Sequence, residues 1–135
     1  MPRVRELEGD HLEFWRERHL CSVTTLRADG SPHVVPMGCV VDPASAESEW
    51  GLAWAITSRT SQKVANLRNG GDPRVAVCQV DGRRWSTIEG TAEVRDDADS
   101  VAEAVRRYAE RYRQPRENPD RVALRITITS VIGNV

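Results

Sequence analysis

The sequence predicts a mainly β chain with α elements added: six antiparallel strands, mostly joined as hairpins, close into a small barrel flanked by three short helices. Three observations predict it. Residues 122–129 alternate, with Val122, Leu124, Ile126 and Ile128 on one face and Arg125, Thr127 and Thr129 on the other. Two tight turns, Ala28-Asp29-Gly30-Ser31 and Asp81-Gly82-Arg83, separate runs rich in Val and Thr. Residues 97–112 instead carry Val101, Ala104, Val105, Tyr108 and Tyr112 at helical spacing. An open α+β sandwich is the alternative packing of the same elements.

In chain order, Asp10 caps a short first helix with Leu12 and Trp15 on one face. Residues 19–27 form a strand, turned at 28–31, where Gly30 tolerates positive φ and Asp29 bonds its own backbone. Residues 33–42 form the next strand. Pro36 has no N–H for a ladder, so this strand is an edge or carries a bulge. A polar loop, 42–49, leads to a third strand at 50–57. Thr60 or Ser61 starts a second helix, and Asn69-Gly70-Gly71-Asp72-Pro73 stops it, with Gly70 as a left-handed C′ residue. Strands at 74–80 and 85–94 form a hairpin. The third helix ends at Gln114-Pro115-Arg116-Glu117-Asn118-Pro119, before the last strand.

A length of 135 residues fits one domain, 1–135, burying about two-thirds of the unfolded surface. A net charge of −1 excludes a global field that would drive the chain onto nucleic acid or anionic lipid. No apolar run is long enough to span a bilayer, and Met1-Pro2-Arg3-Val4-Arg5-Glu6 lacks a signal-peptide core, so a cytoplasmic location is expected. Cys21, Cys39 and Cys78 lie far apart with no CxxC, and read as small buried hydrophobes. His11, His19 and His33 show no ligand spacing, so no metal site is expected. The run Arg106-Arg107-Tyr108-Ala109-Glu110-Arg111-Tyr112-Arg113 is basic with interleaved tyrosines. It reads as a core face of tyrosines and a solvated arginine face, not as a nucleic-acid site.

The chain has no GxGxxG, no P-loop, no GxSxG elbow and no paired carboxylates at recognisable spacing, and no side chain is assigned a catalytic role. Three features do converge. Lys63, the one lysine among nineteen Lys+Arg, closes the run Thr57-Ser58-Arg59-Thr60-Ser61-Gln62-Lys63. A strand end rich in hydroxyls that passes into a helix start with cations is a phosphate cradle. Its plainer account is a capped helix with a surface lysine. Val35-Pro36-Met37-Gly38 loses a ladder donor and then bares backbone, where a flat ring could approach. Gln79, on one face with Val75 and Val77, could bond a heteroaromatic edge, and Trp85 could cover a ring. Plainer accounts are a solvent-facing glutamine and a sheet-packing indole. Together the three features suit a flavin-like cofactor.

At these residues the chain resembles a known family. Glu17-Arg18-His19-Leu20, the run from Thr24 through Ala28-Asp29-Gly30-Ser31-Pro32-His33 to Pro36, Thr57-Ser58 with Ser61-Gln62-Lys63, and Gln79-Val80-Asp81-Gly82-Arg83-Arg84-Trp85 are similar to the flavin/deazaflavin oxidoreductases. These share the pyridoxamine-phosphate-oxidase-like split barrel. The nearest subgroup is the F420-dependent biliverdin reductases, in which residues 108–116 also find a counterpart. The resemblance implies a homodimer with the cofactor in a groove at the interface. It implies the phosphate around Ser58, Arg59 and Lys63, with Thr57, Ser61 and Gln62 in the same cradle. It also implies the ring along Val35, Pro36 and Met37 with Gly38 approaching by backbone, and Gln79 and Trp85 nearby.

The function expected is an F420H2-dependent reductase that transfers a hydride to a conjugated small-molecule substrate, a linear tetrapyrrole such as biliverdin being one candidate. An FMN-binding oxidase or reductase of the same fold is the alternative, and a non-catalytic flavin or deazaflavin carrier is the third reading. Trp50, Trp54 and the acidic 42–49 loop depart from the family pattern and are expected to reshape the substrate mouth.

Overall fold

The computed structural model of the chain describes residues 4, 6–43, 45, 48–68 and 70–135. Its strands are β1 (Cys21–Leu26), β2 (Pro32–Met37), β3 (Val40–Asp42), β4 (Leu52–Ser58), β5 (Arg74–Asp81), β6 (Arg84–Arg95) and β7 (Arg121–Asn134). They pair antiparallel in one sheet of order β2-β1-β5-β6-β7-β4-β3. Three helices accompany it: α1 (Gly9–Arg16), α2 (Gln62–Leu67) and α3 (Ala98–Arg111). None of them is long and apolar enough to cross a membrane.

The described strands number seven, where six were expected, because the 33–42 run divides. Its first part, β2, pairs with β1, and its second part, β3, pairs with β4 at the opposite edge of the sheet. The break falls at Gly38-Cys39, where side chains of the α3 end replace ladder partners. The Cys39 N–H donates to the Tyr112 hydroxyl at 3.2 Å, and the Cys39 carbonyl accepts from Arg111 Nη1. Pro36 lies on the edge strand β2, as its missing donor requires.

The turns follow their chemistry. Gly30 has φ 86°, and Asp29 Oδ1 accepts from the Ser31 N–H at 2.9 Å. Gly90 marks a shift in the β6–β7 register. A Cβ there would stand 2.1 Å from the Thr127 carbonyl oxygen, so only glycine fits. The first helix corrects one expectation: Glu8 occupies the N-cap without a side-chain bond, and Asp10 lies in the first turn. Gly70 is left-handed (φ 78°), but the helix cap is Arg68, which moves Gly70 one position past C′; Asn69 lies outside the described residues.

The alternating face of β7 (Leu124, Ile126, Ile128) meets Val23, Val77, Ile88 and Trp15 of α1 in the main core. Trp15 Nε1 donates to Ser86 Oγ at 2.8 Å, which satisfies the buried indole. The third helix is capped by Asp97, which accepts from the Ser100 N–H at 3.0 Å. It covers a smaller cluster of Leu52, Trp54, Ala104 and Ala123. Trp54 thus lies under α3. Trp50 packs against the main core, while 44, 46 and 47 of the loop lie outside the described residues.

Candidate cofactor-binding site

The end of β4 and the start of α2 form the corner that carries the sequence-predicted cradle. The Ser61 N–H donates to the Ser58 carbonyl at 3.0 Å, and Ser61 Oγ caps α2 by accepting from the Val64 N–H. Thr57 Oγ1 donates to Ser61 Oγ at 3.2 Å. Deeper in, Gln62 donates to Asn66 Oδ1, and Asn66, 5% exposed, donates to Thr25 Oγ1 at 2.8 Å. That buried polar link fastens α2 to β1 and so fixes the corner.

The cations of the corner differ. Arg59 is exposed, lies 3.8 Å from Asp120, and gives its N–H to the Asp120 carbonyl. Lys63 is partly buried, and desolvation pushes its pKa below the ordinary lysine value. No carboxylate among the described residues forms an ion pair with it. A six-residue helix contributes little dipole, and the amides of Arg59, Ser61 and Val64 are engaged within the chain. The corner therefore offers an anion its hydroxyls and the Lys63 ammonium more than its helix end.

Beside the corner lies a cavity of about 430 Å³, lined by Thr57 and Ser58 from β4, Tyr108 from α3, and Arg113, Arg116 and Arg121 beyond it. Tyr108 stands between this cavity and Gly38. A Cβ on Gly38 would lie 2.8 Å from the Tyr108 ring and 3.0 Å from that of Tyr112. The backbone expected to be bare at Gly38 is therefore covered on that side by protein rings, which is why glycine is needed.

The other predicted residues lie elsewhere. Val35 and Pro36 line a shallow apolar groove with Leu20, Val34, Cys78 and Val80 on the outer face of β1, β2 and β5. Met37 is buried, with its side chain in the core. Trp85 is half-buried on β6, opposite Val80 and Asn134. Gln79 shares an inward face with Val75 and Val77 and is 1% exposed. Its nitrogen donates to the Phe14 carbonyl at 2.8 Å, and its oxygen accepts from Arg111 Nη2 at 2.8 Å and from Cys21 Sγ. The carboxamide thus works inside the barrel. One chain brings the 57–63 residues together and holds Val35 and Pro36 in a separate concavity.

Arg111 corrects the reading of α3 as a core face plus a solvated arginine face. It is 9% exposed, and its guanidinium also bonds the Glu17 carbonyl at 2.7 and 2.9 Å. The signal was in the spacing, because Ala104 and Arg111 lie two turns apart on the buried face. Glu17, His19 and Asp81 bring ligand atoms within 4.8 Å of one another, but Arg84 pairs with both carboxylates. Hydrogen bonds from Arg84, then His19, pull the Glu17 carboxyl down to about 2.

The comparisons agree with this architecture. The chain is 46% identical over 128 residues to the F420H(2)-dependent biliverdin reductase of Mycobacterium tuberculosis (strain CDC 1551 / Oshkosh), covering 95% of this chain and 88% of that protein. A conserved hypothetical protein of Mycobacterium tuberculosis superposes with TM-score 0.75 at 25% identity, over 98% of this chain and 88% of the other. A structure named as an F420 reductase superposes with TM-score 0.70 at 21% identity, over 92% and 97%, and shares the fold. The profile described as Pyridoxamine 5'-phosphate oxidase matches residues 7–134, nearly the whole barrel with its corner and cavity, and the chain belongs to that family.

Proposed function

We propose that the chain is a single-domain, F420-dependent reductase that passes a hydride to a conjugated organic acceptor, with a biliverdin-like linear tetrapyrrole as the first candidate. The observation that carries this reading is the 46% identity over 128 residues to an F420H(2)-dependent biliverdin reductase. The corner at 57–63 fits the coenzyme: a partly desolvated ammonium that no carboxylate among the described residues pairs with, beside hydroxyls held by capping bonds, suits a phosphate group. Lys63, Ser58, Thr57 and Ser61 would hold the phosphate, with Arg59 and Gln62 at its rim. Val35 and Pro36 would border the ring, with Trp85 beside it and with the buried Met37, the ring-covered Gly38 and Gln79 as parts of the frame behind it.

When bound, the reduced deazaflavin supplies a hydride from its C5. The chain's own work is to bind, orient and exclude water, which needs no acid–base dyad.

We place the enzyme in the cytoplasm, which suits three free cysteines, Cys21, Cys39 and Cys78. We also propose a homodimer in which the second copy brings its own residues to the groove, since Val35 and Pro36 line a different concavity from Thr57 and Ser58. The outer face supports this reading: Leu20 is 67% exposed, Val34 58% and Val80 64%, an apolar patch of the kind interfaces cover. Val34→Glu is expected to convert the dimer to monomer in light scattering and to weaken coenzyme binding with it. A monomeric wild-type protein would sink this part of the reading.

Titrating the purified protein with F420 and FMN side by side tests the function. Tight binding of F420 and oxidation of F420H2 by biliverdin are expected. A yellow protein that retains FMN, or F420 bound without turnover across enones, quinones and tetrapyrroles, would replace the reductase reading.

A further inference from the structure

Several of the described arginines are matched to carboxylates. Arg68 pairs with Asp96, Arg74 with Asp72, Arg95 with Glu93, Arg106 with Glu103 and Arg107 with Asp42. The cavity beside β4 departs from this habit. Arg113, Arg116 and Arg121 all line it, and no carboxylate among the described residues does. The segment's two acids lie off its wall: Asp120 is turned to Arg59, and Glu117 is exposed. Arg121 Nη2 donates to the Arg116 carbonyl at 2.6 Å, which fixes one guanidinium across the segment. Asn118 Nδ2 donates to Ser58 Oγ at 2.7 Å, so the Ser58 hydroxyl hydrogen remains to be donated. Pro115 and Pro119 stiffen the segment that carries these groups. Like charges gathered in a concavity without a counter-charge repel one another, and an anion relieves that repulsion.

We propose that this cavity is a second anion subsite, distinct from Lys63, that receives a multiply charged phosphate or carboxylate arm. The volume of about 430 Å³ exceeds the need of one oxyanion, and the planar guanidinium forks suit bidentate capture of such groups. The arm belongs to the coenzyme or to the acceptor. That assignment rests on the function proposed above, whereas the subsite itself does not.

The test begins with inorganic pyrophosphate and the full chain, followed by calorimetry at low salt. The wild-type protein binds, R113A and R116A each weaken binding about two- to fivefold, and R113A/R116A/R121A together weaken it on the order of tenfold or more. R83A, on the distant β5–β6 turn, leaves it unchanged. Circular dichroism checks that each variant is folded; R113A and R116A change exposed side chains and keep the test decisive if R121A disturbs the segment. No pyrophosphate binding, or equal binding by wild type and variants, overturns the subsite. Two further arms identify its source. A loss for F420 but not for its riboside lacking the phosphate and acidic tail assigns the coenzyme's arm. A raised KM for biliverdin but not for its dimethyl ester assigns the acceptor's carboxylates. If F420 does not bind the wild-type protein at all, the proposed function fails while the pyrophosphate titration still decides the subsite.

Discussion

Arg111→Ala is expected to lose about 3–5 kcal/mol of folding stability, read as a fall in the denaturation midpoint, because several buried acceptors lose a charged donor at once. The guanidinium reaches the Glu17 carbonyl after α1, the Cys39 carbonyl at the β2–β3 break, and Gln79 Oε1 on β5. It also lies 5.7 Å from the Trp15 ring and 5.2 Å from the Tyr112 ring. The three acceptors lie at the end of α1, at the β2–β3 break and on β5, so α3 is tied to three other places through one side chain. A domain with total stability of about 5–15 kcal/mol would keep little after that change. Arg111→Met separates charge from bulk: it keeps packing beside Trp15 but strands the same acceptors, so most of the loss should persist. Arg111→Lys restores the charge without the planar fork and should recover less than half. A midpoint for Arg111→Met equal to wild type would show that the bonds contribute nothing beyond packing.

Lys63→Ala is expected to weaken coenzyme binding by about 1.5–3 kcal/mol, roughly ten- to 150-fold, the range for a charge-assisted hydrogen bond. Burial already lowers the Lys63 pKa, since desolvation penalises the ammonium. A bound phosphate opposes that penalty and favours the charged form, so binding is linked to proton uptake at Lys63. The sign follows: affinity holds below the depressed pKa and falls as pH rises through it. Lys63→Ala should bind more weakly and lose that part of the pH dependence. Fluorescence titration at neutral and alkaline pH reads both effects, and unchanged affinity in the variant would remove Lys63 from the site.

Much of the fold was legible because its signals are local. Alternation in β7, Asp29 and Gly30 in the first turn, Pro36 on an edge and the stripe along α3 each depend on near neighbours in sequence. The division of the 33–42 run was not, since it depends on Tyr112 and Arg111 reaching Cys39 from more than seventy residues away. Periodicity showed that Tyr108 faces inward but not that its ring would meet Gly38. The 57–63 corner was readable as a strand-to-helix handover with a lone lysine. The arginine cavity was not, because Arg113, Arg116 and Arg121 gain meaning only when the segment folds back against Ser58. Gln79 lay on the predicted face, but alternation does not reveal that this face is the interior.

The two outermost strands of the sheet are separated in sequence by only Gly38 and Cys39. The wall of the barrel is thus a belt whose buckle is a pair of residues, and the end of α3 is the thumb that holds it shut. New chain termini cut at that buckle would release both rims together, whereas a cut in the 28–31 turn would leave the belt fastened.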